Sequence, residues 1–329
     1  MGRRKNFQNF WWIALSTVLF LLGSGAAVRA AEKDYPNKSI TLINPFAPGG
    51  GIDIAYRPIV DILPDYLGQK MVISHKPGAG GAIGTAFAAK AKPDGYTLLA
   101  GSSSTINLIP ATRKVPYSYD DFIPVGTFAK AIDVLAVKPD GPWKTLPEFI
   151  ADAKRNPGKY KFSTFGVMGA AHFCMELFAR AAGIKVGHIP YNSDSEALTS
   201  TLGGHTDVVV ATVQAAIPHL SAGTLKALAV SDTVRYKHLY DVPTFKELGY
   251  NVRVIIWFGM LAPTGTSKEI IDKLWYAQKK GFEDNRLPPV IEKIGMIPFL
   301  QPQEEMDKII REDHELYTRA AKEFGFEIK

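Results

Sequence analysis

A chain of 329 residues is longer than one ordinary domain and suits two of roughly 100–200 residues each. Its 46% apolar content can fill packed cores, which excludes a disordered chain. Basic residues exceed acidic ones only modestly, 38 against 32, and form no long basic tract, which excludes nucleic-acid binding as the main task.

The chain opens with Arg3, Arg4 and Lys5, then an apolar run from Trp11 to Leu22, then small residues with Val28 and Ala30 placed for cleavage after Ala30. The run is short for a membrane span, which needs roughly 20 residues, so residues 1–30 read as an export signal. Arg3-Arg4 hints at the twin-arginine route, but Phe7 sits one place late for it, which favours the general secretory route. Cleavage removes four basic residues and no acidic ones, so the formal charge falls from +6 to +2. Cys174 is the only cysteine and lies in an apolar run, so the chain has no internal disulfide and no lipid-anchor cysteine. The reading is a soluble periplasmic protein.

After the signal, strand and helix patterns alternate. Strands are expected at Ile40–Ile43, Met71–Ser74, Thr97–Gly101, Ala131–Val137, Lys161–Thr164, Val186–Ile189, Asp207–Ala211, Leu225–Val230 and Val254–Leu261. Helices are expected at Ile52–Leu67, Ile83–Lys92, Leu146–Arg155, Ala170–Ala182, Ser195–Leu202, Gln214–Ala222 and Phe245–Leu248. Such alternation predicts an α/β fold with parallel sheets covered by helices. Thr145, Ser193, Thr244 and Thr266 each precede a Glu by three residues, the spacing of capping boxes. Gly183 and Gly203 suit helix ends, and Pro58 and Pro64 predict a kink or early stop in the first helix. From Thr266 on the pattern is helical with no evident new sheet, so this tail is expected to return to the first domain. The expected division is 31–130 with 254–329 as domain 1 and 131–253 as domain 2, with two crossings between them.

The stretch that organises the chain is Asn44-Pro45-Phe46-Ala47-Pro48-Gly49-Gly50-Gly51-Ile52-Asp53, a glycine-rich turn between a strand and a helix. Such a turn points backbone N–H groups and a helix N-terminus at one place, which suits an anion, although it also serves as a plain connector. Gly50 is expected to allow close approach, so that Gly50→Val blocks and strains the turn. Ser163 to His172 repeats the arrangement, and Gly101 to Thr105 is a polar strand end. Gly78, Gly80 and Gly84 imitate a dinucleotide fingerprint. However, Asp94 lies in a turn before its strand rather than at the strand's end, so a turn packed beside the first loop is expected instead.

Patterns for catalysis are missing. There is no His-Glu-x-x-His, no paired-cysteine metal pattern, no phosphate loop, and no Gly-x-Ser-x-Gly in the mature chain. Of the seven histidines only His172 lies in a candidate loop. No catalytic residue, metal or cofactor is expected.

Further stretches are His75-Lys76-Pro77-Gly78-Ala79-Gly80-Gly81, Lys92 to Leu99, His188-Ile189-Pro190-Tyr191, Leu202 to Asp207, Asp241-Val242-Pro243-Thr244 and Trp257 to Pro263. With the first loop, and in this order, they resemble the periplasmic solute-binding receptors of the tripartite tricarboxylate transporter family, also called Bug receptors. The resemblance covers essentially the whole mature chain.

It implies a type II, Venus-flytrap periplasmic binding protein whose two α/β domains close on a small carboxylate held by backbone N–H groups. It assigns Phe46, Ala47, Gly50 and Asp53 from the first loop, with Asp53 ordering the loop rather than meeting the anion. The second loop supplies Phe165, Gly166, Gly169 and Ala170, with His172 beside them. Ser102, Ser103 and Thr105 reach the ligand's far end. Many relatives carry Asp-Asn where this chain has Ala211 and Thr212, a departure that argues against an amine-bearing or hydroxyl-rich ligand. Phe165, Met168 and Trp257 suggest a less polar, aromatic or aliphatic far end. The implied partners are integral membrane transporter subunits, for a receptor that is itself a monomer. A secreted α/β enzyme or a sensory ligand-binding protein using the same cleft is the alternative.

Overall fold

A computed structural model describes residues 34–167 and 169–325. The expected export signal and Met168 lie outside the described residues.

All nine expected strands are present, most within a residue or two of the expected bounds. β1 (Ile40–Asn44) leads through the first loop into α1 (Gly51–Ile62), which continues through Pro58 and breaks at Leu63, where Pro64 opens the single turn α2 (Pro64–Leu67). Proline at a first helical position forfeits no needed N–H, so Pro64 restarts a helix as well as ending one. β2 (Met71–His75), α3 (Ala82–Ala89) and β3 (Thr97–Ser102) follow, then a π-turn at Ser104–Leu108 and α4 (Ile109–Thr112).

β4 spans Phe122–Val137, more than twice its expected length. Its first half was hidden because Pro124 and Gly126 break the alternation, and the ladder shifts register between Pro124 and Gly126 and again between Thr127 and Ala129. Next come α5 (Leu146–Arg155), β5 (Lys161–Phe165), α6 (Ala170–Ala182), β6 (Gly187–Tyr191), α7 (Asp194–Leu202), β7 (Val208–Thr212), α8 (Val213–Ser221) and β8 (Lys226–Val230). The chain ends with β9 (Ile255–Pro263), α9 (Lys268–Glu283), α10 (Leu287–Lys293), β10 (Ile297–Pro302) and α11 (Gln303–Glu323). The tail adds no separate sheet, but it does add one strand to the existing one: β10, disguised by two prolines, pairs antiparallel with β4.

Two caps form as expected, Thr145 on Glu148 N–H and Ser193 on Glu196 N–H. Thr244 and Glu247 exchange both capping-box bonds, at 2.8 and 3.0 Å, yet cap a turn and not the helix expected at Phe245–Leu248, because Gly249 at φ 89° ends it. Thr266 caps nothing. Its hydroxyl donates to the Pro263 carbonyl at 2.7 Å, and Ser267 stands at the N-terminus of α9. Gly183 takes the left-handed C-cap, whereas Gly203 stays right-handed and Gly204 makes the turn.

The strands join in the order β2-β1-β3-β9-β4-β7-β5-β6, with β8 and β10 also on β4. β1 pairs parallel with β2 and β3, and β5 pairs parallel with β6 and β7. Every pair made by β4 or β9 is antiparallel, so the sheet is mixed rather than purely parallel. From Phe122 to Ile132 β4 pairs with β9, and from Asp133 to Val137 it pairs with β7. The change of partner falls between two adjacent residues. Beside it Lys130 and Asp232, both buried, form an ion pair that ties β4 to the segment after β8.

Side chains of α1, α9 and α10 (Ile52, Ile59, Leu274, Ile291) share a core with β1, β3 and the first half of β4. A second core joins Leu135 and Val137 of β4 to α5 and α6. α11 enters two cores: Met306, Ile309 and Ile310 lie with Ile43, Leu99 and Trp257, while Tyr317, Ala320 and Ala321 lie with Phe173 and Cys174.

The second glycine cluster packs on the first loop, as expected. A Cβ on Gly81 would meet the Phe46 ring at 2.9 Å, and one on Gly84 would meet the Lys76 carbonyl oxygen at 2.6 Å and the Pro45 Cα at 2.7 Å. Gly84→Ala should therefore lower stability by about 1–3 kcal/mol through overpacking against backbone. The urea midpoint reads this directly, and an unchanged midpoint would mean that the first loop yields without cost.

Candidate functional site

Register alone shows where the loops go. β3 ends at Ser102, opposite Phe258 of β9, and Phe258 lies opposite Ala129 of β4. β7 ends at Thr212, opposite Asp133 of β4. The C-terminal ends of both parallel strand sets thus run toward the middle of β4, where its partner changes. That is where open α/β sheets expose their ligand-binding loops.

In the first loop Phe46 is half-buried and its N–H donates to Asn44 Oδ1 at 3.0 Å, while Ala47 is exposed. Asp53 is buried and its carboxylate gathers three donors: Gly49 N–H at 3.0 Å, Arg57 at 2.9 Å and His75 Nε2 at 2.8 Å. Burial opposes ionisation there, but Gly49, Arg57 and His75 outweigh it and hold the Asp53 carboxyl down at about 2. Asp53 is spent on the loop's shape. The first N–H groups of α1, beyond Gly50, have no carbonyl a turn earlier to accept them and face outward as donors. Asn44 adds a group that pattern reading missed: it is buried at the end of β1, and its Nδ2 has no hydrogen-bond partner among the described residues.

Gly50 does not carry the backbone strain expected of it. It sits at φ −76°, ψ 171°, which any residue adopts, and a Cβ there would meet only the Ala47 carbonyl oxygen at 3.5 Å. The residue that needs to be glycine is Gly49, at φ 80°. Gly49→Ala should cost about 1–2 kcal/mol of stability, whereas Gly50→Ala should cost little. Chemical denaturation of the two variants side by side tests the ranking.

In the second loop Phe165 and Val167 are exposed, at 55% and 57%. Gly166 has φ 72°, and its N–H is already given to the Tyr191 carbonyl at 2.9 Å. Gly169 stands at the N-terminus of α6 and Ala170 is the first, buried residue of the helix, so the open donors belong to α6 itself. His172 is buried on α6 and stacks on His188, with centroids 3.8 Å apart, and its Nε2 lies 3.6 Å from Glu176. Burial and then His172 push His188 down to about 4, so this ring is neutral at ordinary pH. The pair is packed against Phe162 rather than aimed outward.

Ser102, Ser103 and Thr105 are all buried. The Thr105 hydroxyl is fully used, accepting from Ser102 N–H and donating to the Ser102 carbonyl, each at 3.0 Å, and Ser103 Oγ donates to Ile255 at 3.4 Å. Among the described residues Ser102 Oγ only accepts, from Thr105 N–H, which leaves its own proton to give. Trp257 is not a stacking surface. It is fully buried, with its indole N–H on Asp313 at 3.0 Å.

Ala211 is core, facing the cluster of Val134 and Val209. Thr212 donates its hydroxyl to Asp194 at 2.7 Å and lies opposite Asp133, so this strand end is not free of acids. Asp133 was legible as the one charge inside Ala131–Val137. Asp194 is the first residue of α7, one position before the expected start of that helix.

A model of the tripartite tricarboxylate transporter family receptor matches residues 55–326. The chain belongs to this family. BugT of Bordetella pertussis is 31% identical over 318 residues, covering 94% of this chain and 97% of BugT. A ligand-free solute-binding receptor of the family from Polaromonas superposes with a TM-score of 0.82 at 29% identity, over 88% of this chain and 99% of its own. Two further structures at 26% identity hold carboxylates. An R. palustris protein with adipate has a TM-score of 0.72 (88% and 98% covered), and MatC from Rhodopseudomonas palustris with malate has 0.68 (87% and 99%). The family is one of solute-binding receptors, and the fold is that of its periplasmic binding proteins.

For this receptor chain the Asp53 knot has a measurable cost and sign. Its folded-state acidity, about 2 against an ordinary 3.8, corresponds to roughly 2 kcal/mol. A depressed carboxyl contributes above its unfolded value and loses the contribution as pH falls from about 4 toward 2. Asp53→Asn should therefore destabilise the protein at pH 7, with the difference from wild type vanishing by about pH 2. Denaturation across that range tests it.

Proposed function

We propose that this chain is a periplasmic receptor that captures a small organic carboxylate with a weakly polar second half and delivers it to a tripartite tricarboxylate-type membrane transporter. What supports the reading is that the two glycine-turn helix N-termini, those of α1 and α6, follow strands of the two parallel sets whose C-terminal ends run toward the middle of β4. Between them they offer backbone donors to one carboxylate, and neither loop contains Arg or Lys. A tricarboxylate would leave charge uncompensated in such a place. Exposed Phe165 and Val167 favour an apolar or aromatic remainder, and the adipate and malate held by relatives fit the same ligand class.

On this reading the receptor is a monomer that binds without turnover. Its lobes are residues 31–130 with 254–329, and 131–253, and they hinge where β4 changes partner. Ligand draws them together, as in other periplasmic binding proteins. The higher overlap with the ligand-free relative than with the liganded ones is what a change of lobe angle produces.

Thermal shift against straight-chain and aromatic mono- and dicarboxylates, then calorimetry, tests this. A millimolar ligand with micromolar Kd should add about 4 kcal/mol of apparent stability. Scattering should show a smaller radius of gyration in the complex. Binding of citrate or glutamate alone, with no response to the other acids, overturns the reading.

A further inference from the structure

The apolar segment Ala131–Val137 of β4 carries one ionisable side chain. Asp133 is 1% exposed, and neither carboxyl oxygen has a hydrogen-bond partner among the described residues. Its backbone is fully used: its N–H donates to Ser231 Oγ, and its carbonyl accepts from Ser231 N–H, each at 2.9 Å. A carboxyl buried in this way is costly, and a core built only for stability would carry an apolar residue here.

Its place in the fold suggests what it is for. Asp133 is the residue at which β4 changes partner, and it lies opposite Thr212, the last residue of β7. By strand alternation it shares a face with Leu135 and Val137, which pack in the core of α6 with Cys174 and Tyr317. The carboxyl therefore stands on the α6 side of the sheet, at the strand ends where the second loop sits.

We propose that the Asp133 carboxyl is a ligand-binding group, donating a hydrogen bond to an anionic oxygen of the bound carboxylate beside Thr212. The proposal rests on the carboxylate-receptor reading above. The titratable groups that face Asp133 are Asp194 on α7, Cys174 on α6 and Tyr317 on α11, none of them cationic; beyond Tyr317 Arg253 pairs with Asp313, and Lys130 pairs with Asp232. Burial, and then the Asp194 carboxyl, push Asp133 up to about 8, so it keeps its proton at neutral pH. A protonated carboxyl offers one O–H donor, and an ionised ligand oxygen is its strongest acceptor. The site thus gains a donor without a cation.

The sign of the pH dependence follows. Binding needs the protonated form, so affinity is full below about pH 8 and falls about tenfold per pH unit above it, with proton uptake on binding. A ligand that paired an ammonium with ionised Asp133 would do the reverse.

The experiment is calorimetry of the full chain with adipate, malate and benzoate from pH 6.5 to 9.5, in two buffers of different ionisation enthalpy, on wild type, Asp133→Asn and Asp133→Leu. Wild type should lose affinity above about pH 8 and take up protons. Asp133→Asn keeps a donor, so it should bind within about fivefold of wild type and lose the pH dependence. Asp133→Leu should melt no lower than wild type when free, yet bind at least about thirtyfold more weakly, because only the ligand contact is removed. Unchanged binding by Asp133→Leu, a flat wild-type profile, or proton release on binding overturns this proposal while leaving the receptor reading in place. If none of the three acids binds wild type at pH 6.5, both readings fall.

Discussion

A strand has two hydrogen-bonding edges, so a strand that serves two sets of neighbours must give each a different part of its length. β4 does this over 16 residues, passing from β9 to β7 between Ile132 and Asp133. Everything that positions the candidate site depends on this handover. It turns the C-terminal ends of β1 and β3, and those of β5 and β7, toward the same stretch of β4. The neighbouring hydrogen bonds hold the handover in register: Ser231 joins Asp133 to the Val254 carbonyl, and Ser103 reaches Ile255.

The electrostatics of the two loops differ. In the first, the one carboxylate is saturated by Gly49, Arg57 and His75, so it fixes the turn without repelling an anion at close range. In the second, the ionisable groups lie below the loop as a neutral, stacked histidine and buried acids held toward their protonated forms. Backbone dipoles are left as the principal attraction for a negative ligand. Fixed dipoles need no reorganisation when the ligand arrives, which suits a protein that must also release it.

Much of the fold was legible because parallel strands and their helices announce themselves locally. Leu146–Arg155 and Ala170–Ala182 fall where periodicity and caps place them. What escaped notice was non-local. The first half of β4 and all of β10 exist through pairing, and their prolines and bulges erase the alternation that a single sequence offers. The loops were legible as glycine-rich turns, but their conformations were not. Gly49 rather than Gly50 takes the left-handed turn, and Gly166 gives its N–H to Tyr191. Likewise Trp257 looked like a ligand surface only because nothing local reveals Asp313, 56 residues away, as its partner.

The position of β9 has a consequence for the order in which the protein is made. It lies between β3 and β4 in the sheet, yet it is synthesised after every other strand but β10. Until residues 255–263 exist, β3 has no neighbour on one side and the first half of β4 lacks its longest pairing. From the completion of β4 at Val137 until β9 begins at Ile255, a nascent chain therefore carries two open apolar edges, the kind of surface that chaperones hold and that aggregates when released too early. Native pairing of these two strands waits for the last quarter of the chain.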